Sequence, residues 1–286
     1  MSDDLFRELF DDASLFPPAA LAMADAVTGH LRHQAAWYGD TSGPFVCADS
    51  RIPELSMALT AAGVAELDLA LVMPGGAARL NSAVDAVFAD PRLRLRAIEL
   101  PVTASADTLA SVSEVADALD RTPLAGAAAF IEIPARQMTA DVARAVADRR
   151  YRAKVRTGGT TPEAFPDEPT LAACVATLVA ERLPFKCTAG LHHAVRHSAT
   201  DTGFENHGFL NVLLAVAAAL TSEAIEEVTT ELADSAASRV AAKVSELDAD
   251  TVVAVRELFT SFGTCSTDEP ISDLVTLGLI SPGHGG

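Results

Sequence analysis

The chain has 286 residues, 49% of them hydrophobic, and a formal net charge of −18 at pH 7. That length and apolar content suffice for a sizeable core and exclude a disordered chain. The negative charge argues against binding nucleic acid or an anionic membrane surface.

Taken in order, strand-like apolar runs alternate with helix-like amphipathic ones. SLF (14–16) precedes a helix beginning near Pro17 and Pro18 and running to Gln34. PFVCAD (44–49) precedes IPELSMALTAAG, and LALVMPGG (69–76) precedes AARLNSAVDAVFAD. LRAIELPV (95–102) precedes ADTLASVSEVADALD, and AAAFIEIP (127–134) precedes TADVARAVADRR. RAKVRTGG (152–159) precedes DEPTLAACVATLVAERL, and PFKCTAG (184–190) precedes GFLNVLLAVAAALTSEAIEEV. LFTSFGTCS (258–266) precedes EPISDLVTLGLI, and the helical stretch 209–257 holds more than one helix.

Short, nearly continuous apolar strands suit parallel strands covered on both sides. Eight strand-then-helix units in a chain of this length match a (β/α)8 TIM barrel, typically about 250 residues. The expected fold is therefore α/β, a single barrel domain over 1–286. It carries an extra N-terminal helix and extra helices between strands seven and eight. A doubly wound open sheet needs a glycine-rich first turn, which SLFPPA is not.

The strongest apolar run, VLLAVAAAL (212–220), is too short for a membrane span. The acidic start MSDDLFRELFDDAS is neither a secretory signal nor a transit peptide, so the expected location is cytoplasmic. Cys47, Cys174, Cys187 and Cys265 are scattered, with no C-x-x-C pair and no zinc-ribbon spacing.

Barrel active sites form at the C-terminal ends of the strands. The polar residues expected there are Asp11, Asp12, Asp49, Glu99, Glu132, Lys154, Arg156, Lys186, His192, His193 and Cys265. Two of them stand out. The chain has only three lysines, Lys154, Lys186 and Lys243, among 21 basic residues. Lys154 and Lys186 each follow an apolar residue and shortly precede a glycine, on neighbouring strands. Two inward ammonium groups within several Å would depress each other's proton affinity. A neutral buried lysine is the nucleophile that forms a Schiff base with a carbonyl, which arginine cannot become. Pairing of each lysine with Glu132 or Glu99 is the other reading, and anion binding by charge alone is a third.

The loop GLHHAVRHSATDTGFENHGFLN (190–211) holds His192, His193, His197 and His207, with Asp201, Glu205 and Asn206. A long polar loop on a barrel's top face suggests function. The histidines could serve as acid/base or substrate-binding groups, or as metal ligands beside a carboxylate. Asn206 could instead cap the following helix. His30 and His33 read as surface groups of the first helix, His284 as part of a glycine-ended tail, and Cys265 as a small buried hydrophobe.

At its lysines the chain resembles the deoxyribose-phosphate aldolase family, class I aldolases on a TIM barrel. That family carries D-x-T-L-L-K-P, I-I-E-T-G, K-T-S-T-G and F-K-x-A-G-G segments. DASLFPP (12–18), FIEIP (130–134), KVRTGG (154–159) and FKCTAG (185–190) stand here in the same order. The resemblance implies Lys154 as the Schiff-base lysine, Lys186 as the neighbour that lowers its pKa, Asp12 as the early active-site aspartate and Glu99 as the proton-moving acid of the fourth strand. Two positions depart: Arg156 replaces the family's strand-six serine, and AGLHH replaces its phosphate turn A-G-G-[IV]-R. A closer likeness is to an uncharacterised bacterial family with GLFPPA-like, GLHH and HGFLN motifs.

The expected function is an aldolase-like lyase acting through a lysine Schiff base on a small carbonyl substrate, phosphorylated or carboxylated. The catalytic set is Lys154, Lys186, Glu132, Asp12 and Glu99. Arg156, His192, His193, His207 and Gly190 are expected to bind substrate. No cofactor and no bound metal are expected, and the oligomeric state, a homo-oligomer included, is left open. The alternatives are a metal-dependent hydrolase or lyase using the histidine-rich loop and a non-catalytic anion-binding barrel.

Overall fold

The computed structural model describes residues 3–103, 107–159, 161–199 and 203–282. Asp201 and His284 lie outside the described residues. The strands and helices, in chain order, are β1 (Phe10–Asp12), α1 (Met23–Gln34), β2 (Ser42–Ala48), α2 (Ile52–Ala62), β3 (Leu67–Val72), α3 (Leu80–Phe88), β4 (Leu93–Pro101), α4 (Thr108–Asp120), β5 (Ala128–Glu132), α5 (Ala140–Asp148), β6 (Arg152–Arg156), α6 (Glu168–Ala180) and β7 (Phe185–Thr188). A hairpin of β8 (His197–Ser198) and β9 (Glu205–Asn206) follows, then α7 (Phe209–Thr221), α8 (Ile225–Ala233), α9 (Ala237–Glu246), α10 (Ala249–Leu258), β10 (Phe259–Thr264) and α11 (Asp268–Thr276).

Among the described residues, eight parallel strands close into a barrel in which β1 to β7 neighbour one another in sequence order and β10 joins β7 to β1. This is the (β/α)8 architecture expected from the alternation. Three details differ. The first strand is Phe10–Asp12, not 14–16, and the first helix begins at Met23, not at the two prolines. The extra N-terminal helix is a single 3-10 turn over Asp3–Leu5. Between β7 and β10 the chain makes four helices, α7 to α10.

Each strand sorts its side chains by alternation. In β3, Leu67, Leu69 and Leu71 face the helical layer, while Ala70 packs inside the barrel with Val46, Ala97 and Phe130. Small and aromatic apolar groups of β2 to β5 thus fill part of the interior. Polar residues of β1, β4, β5, β6, β7 and β10 enter the rest. α7 is apolar on nearly every face, and it is buried against α6, α8, α9 and α10, as expected of a helix without a polar stripe. Asp107, Thr139, Asp167 and Asp248 cap α4, α5, α6 and α10 through their side chains. Asn206 lies in β9, and Gly208 occupies the N-cap of α7. No helix among the described residues is long and apolar enough to cross a membrane.

Candidate active site

Lys154 and Lys186 are direct Cα partners across β6 and β7, so both side chains enter the barrel at one level. They do not meet. Glu99 of β4 lies between them, its Oε2 accepting from Lys154 Nζ at 2.7 Å and its Oε1 from Lys186 Nζ at 2.6 Å. Lys186 also donates to Asp11 of β1, and Lys154 pairs with Glu132 Oε2 at 2.9 Å. Glu132 Oε1 in turn accepts from Arg156 Nε at 3.1 Å and from a second guanidinium nitrogen at 3.0 Å. The result is a continuous chain, Asp11–Lys186–Glu99–Lys154–Glu132–Arg156, in which three carboxylates alternate with three cations.

Burial makes that alternation necessary, because an unpaired ion in the interior would cost several kcal/mol. Lys154 is 4% exposed; Lys186 and Glu99 are each 2% exposed. Burial works to raise the Glu99 pKa, but the two ammonium groups, Lys154 first, pull it down to about 2. Burial works to depress the Lys186 pKa, and the carboxylates of Asp11 and Glu99 more than reverse this, holding the ammonium above its ordinary range. Glu132 is held below the usual carboxylate range: burial opposes this, and Lys154 and Arg156 prevail. Asp11 ends the chain with one cation, which it shares with Glu99. Burial therefore raises its pKa despite Lys186 and a 2.8 Å bond donated by the Ser261 hydroxyl. Lys186 also sits 5.4 Å from the centre of the Phe130 ring, a cation–π distance.

Asp12 is not in this chain. Adjacent strand residues face opposite sides, and Asp12 turns outward to α1, where its Oδ2 lies 3.1 Å from His30 Nδ1 and its Oδ1 accepts from the Ser14 amide at 3.0 Å. Burial works to raise its pKa, and the His30 and Ser14 bonds lower it overall. Asp11 occupies the interior position that the resemblance assigned to Asp12. His30 and His33 are buried, not surface groups. His30 packs edge-on against Phe45 at 5.3 Å, and His33 Nδ1 lies 3.0 Å from the Tyr38 hydroxyl.

A cavity of about 780 Å³ opens at the C-terminal ends of β4, β5 and β6. Val102, Glu132, Arg136, Arg156, Phe165 and Pro166 are among its lining residues. Of the six-residue ionic chain, Glu132 and Arg156 line it, and Lys154 lies directly behind Glu132. A cavity of about 970 Å³ between α6, α7, α8 and the end of α10 includes Pro184, just before β7. It sits at the opposite end of the barrel from the lysines' charged partners.

The histidines go elsewhere. His192 Nδ1 lies 3.3 Å from Glu269 Oε2 and 3.7 Å from Cys265 Sγ. His193 Nδ1 lies 3.0 Å from Asp273 Oδ2, so both are tied to α11. His207 is buried with its Nε2 donating to the Pro166 carbonyl at 2.7 Å, which fastens one wall of the cavity from behind. Burial lowers its pKa, partly offset by that bond. None of the three lines the cavity. No group of three or more His, Cys, Asp or Glu among the described residues is placed to hold a metal ion. Cys265 follows β10 directly, and burial raises its pKa.

Gly190 has a structural task. Its φ of +77° is left-handed, and an added Cβ would lie 2.8 Å from the Thr157 carbonyl oxygen and 2.9 Å from Gly158 Cα. The turns after β6 and β7 thus touch glycine to glycine. Sequence reasoning missed Ser261 and Arg136. The hydroxyl gave no signal, whereas a cation just past the fifth strand end, in EIPAR, could have been noticed.

No protein-family model matches the chain, and no curated protein matches it. Among solved structures it is similar to the deoxyribose phosphate aldolase from Aeropyrum pernix, described as a unique tetramer. The identity is 14%, the match covers 96% of this chain and 93% of that one, and the TM-score is 0.54. At that identity the likeness is one of fold.

Proposed function

We propose that the protein is a carbon–carbon lyase that forms a Schiff base between Lys154 and a small oxygenated carbonyl compound, phosphorylated or carboxylated. The observation that carries this reading is the place of Lys154: buried between Glu99 and Glu132, directly behind the carboxylate that lines the 780 Å³ cavity. Lys186 is a poorer nucleophile, because Asp11 and Glu99 hold its proton, and neither of those partners lines the cavity. The similar fold belongs to an aldolase, which points the same way.

In this mechanism Glu132 takes a proton from the Lys154 ammonium. The freed amine attacks the carbonyl carbon, and its departing proton goes to the new oxygen, giving a carbinolamine. Glu132 returns its proton to the hydroxyl, water leaves, and an iminium ion remains. Glu132, again a carboxylate, accepts the proton of the hydroxyl on the carbon that leaves as an aldehyde, and the iminium accepts the electron pair of the breaking carbon–carbon bond. Lys186 stays charged and keeps Glu99 ionised, so Glu99 stabilises the iminium as it did the ammonium.

Borohydride reduction in the presence of candidate aldehydes and ketones tests this. The expected result is an adduct mass on the Lys154 peptide that is absent in Lys154→Arg. A protein active on some substrate, with no adduct at either lysine, overturns it. One observation favours a second reading, a non-catalytic anion-binding barrel: each lysine already has two carboxylate partners. Exchanging a buried ionic set for apolar groups is often neutral or stabilising. A Lys154→Met, Glu132→Met double variant that is more stable and still binds ligand would support that reading.

A further inference from the structure

The second cavity lies at the far end of the barrel from the charged partners of the lysines, and two of its walls come from helices that a single strand-then-helix unit would not supply. α8 and α10 belong to the passage between β7 and β10, and with the ends of α6 and α7 they border a groove of about 970 Å³. Most of its lining residues are apolar. Val179, Val228 and Leu258 are buried and form the floor. Leu220 and Ile225 also line it, yet they are 38% and 37% exposed. Val253 is 56% exposed and lies one helical turn from the lining residue Glu257 on α10, so it extends the apolar surface. Exposed apolar surface gathered around a concavity marks a place that a partner covers.

The charges at the groove select that partner. Glu223 and Glu257 line it and are exposed, and Glu226 and Glu227 follow in the first turn of α8. None of these carboxylates has an ion-pair partner among the described residues. Arg182 is the one cation in the lining. The groove therefore has an apolar floor and an acidic rim. A second copy of this chain would set that rim against itself, with only Arg182 to offset it. An anionic membrane surface would be repelled for the same reason. We infer that the groove docks a basic amphipathic helix of a partner protein. The apolar face of that helix covers Val228, Leu258, Leu220 and Ile225, and its lysine or arginine side chains meet Glu223 and Glu257. This is recognition of a helix laid in a groove, through anchors repeated at helical spacing. The opposite charges steer the encounter and reject acidic partners. The strand-end cavity stays open while the partner is bound, because the two sites are at opposite ends of the barrel.

The probe is a fluorescent synthetic peptide of leucine and lysine with its leucines on one helical face, titrated with the whole protein and read by anisotropy. A leucine–glutamate peptide of the same pattern is the control. The lysine peptide is expected to bind saturably and the glutamate peptide not at all. Leu220→Asp with Ile225→Asp should weaken binding about tenfold, as the loss of anchoring contacts does. The two added carboxylates would strengthen a purely ionic attraction, so this weakening reports the apolar contact. Glu223→Lys with Glu257→Lys should weaken binding to a similar degree. Asp85→Lys with Glu114→Lys makes the same change of net charge at exposed positions of α3 and α4 and should leave affinity unchanged. Urea midpoints show that each variant is folded. The inference is overturned if the lysine peptide does not saturate, if the glutamate peptide binds as well, or if the two lysine-substituted pairs weaken binding alike. A native dimer that becomes a monomer in Leu220→Asp with Ile225→Asp would also overturn it, in favour of a second copy.

Discussion

Glu99 gives one carboxylate oxygen to each lysine, 2.7 Å from Lys154 and 2.6 Å from Lys186. The two amines are thus separated by a single carboxylate, and their repulsion is screened at its source. Glu99→Gln should expose that repulsion. The amide oxygen can satisfy one ammonium, and the amide nitrogen faces the other. Unfolding in urea should show a loss of about 3–5 kcal/mol, as expected for breaking a buried ionic network. An unchanged midpoint would mean that water reaches the lysines freely.

The pH dependence of stability has two limbs. Glu99, Glu132 and Asp12 are depressed in the folded protein, Glu99 to about 2. Their contribution is present above the ordinary carboxylate range near pH 4 and is lost as pH falls toward 2. Asp11 is raised, so its contribution has the opposite sign and diminishes as pH rises through its folded value. Lys186 is raised too. Its contribution is full below about pH 10 and is lost at higher pH. Urea midpoints against pH should show a plateau with both limbs, and Lys186→Met should remove the alkaline one.

Gly43 makes room for the end of the ionic chain. A Cβ there would lie 2.3 Å from Asp11 Oδ1. Gly43→Ala should therefore push the Asp11 carboxylate off Lys186 and cost about 1–3 kcal/mol, the usual penalty of overpacking. Thermal and urea unfolding measure the loss. A variant as stable as the native protein would show that Asp11 can move at no cost.

Asp11→Asn and Asp12→Asn should behave differently although the residues are adjacent. Asp11→Asn removes one of two carboxylates from Lys186, so the alkaline limb should move to lower pH. Asp12→Asn removes the carboxylate that lies against His30 Nδ1 and should cost about 1–3 kcal/mol, with the alkaline limb unmoved. Identical pH profiles for the two variants would contradict the placement of Asp11 inside the barrel.

The barrel was legible because β2 to β7 are apolar enough for alternation and turn residues to mark them. β1 was not, since two of its three residues are aspartates. It is a strand because β2 and β10 supply its hydrogen-bonding neighbours, which only the closed barrel provides. For the same reason, spacing paired Lys154 with Lys186 correctly as strand neighbours but could not choose between Asp11 and Asp12. One residue of register moves a side chain from the interior to the helical layer. Glu99's place between the lysines depends on β4 facing β6 and β7 across the barrel, a relationship absent from local sequence. The histidines were conspicuous by composition, yet they answer to α11 and to the Pro166 carbonyl, partners remote in the chain.

The contact of Gly158 with Gly190 bears on how this protein could be re-engineered. The backbones after β6 and β7 are close enough that a methyl group on either would collide with the other. That part of the rim offers no room for variation. Val102, by contrast, lines the cavity itself. A library meant to broaden the accepted compounds should hold the two glycines constant and diversify Val102.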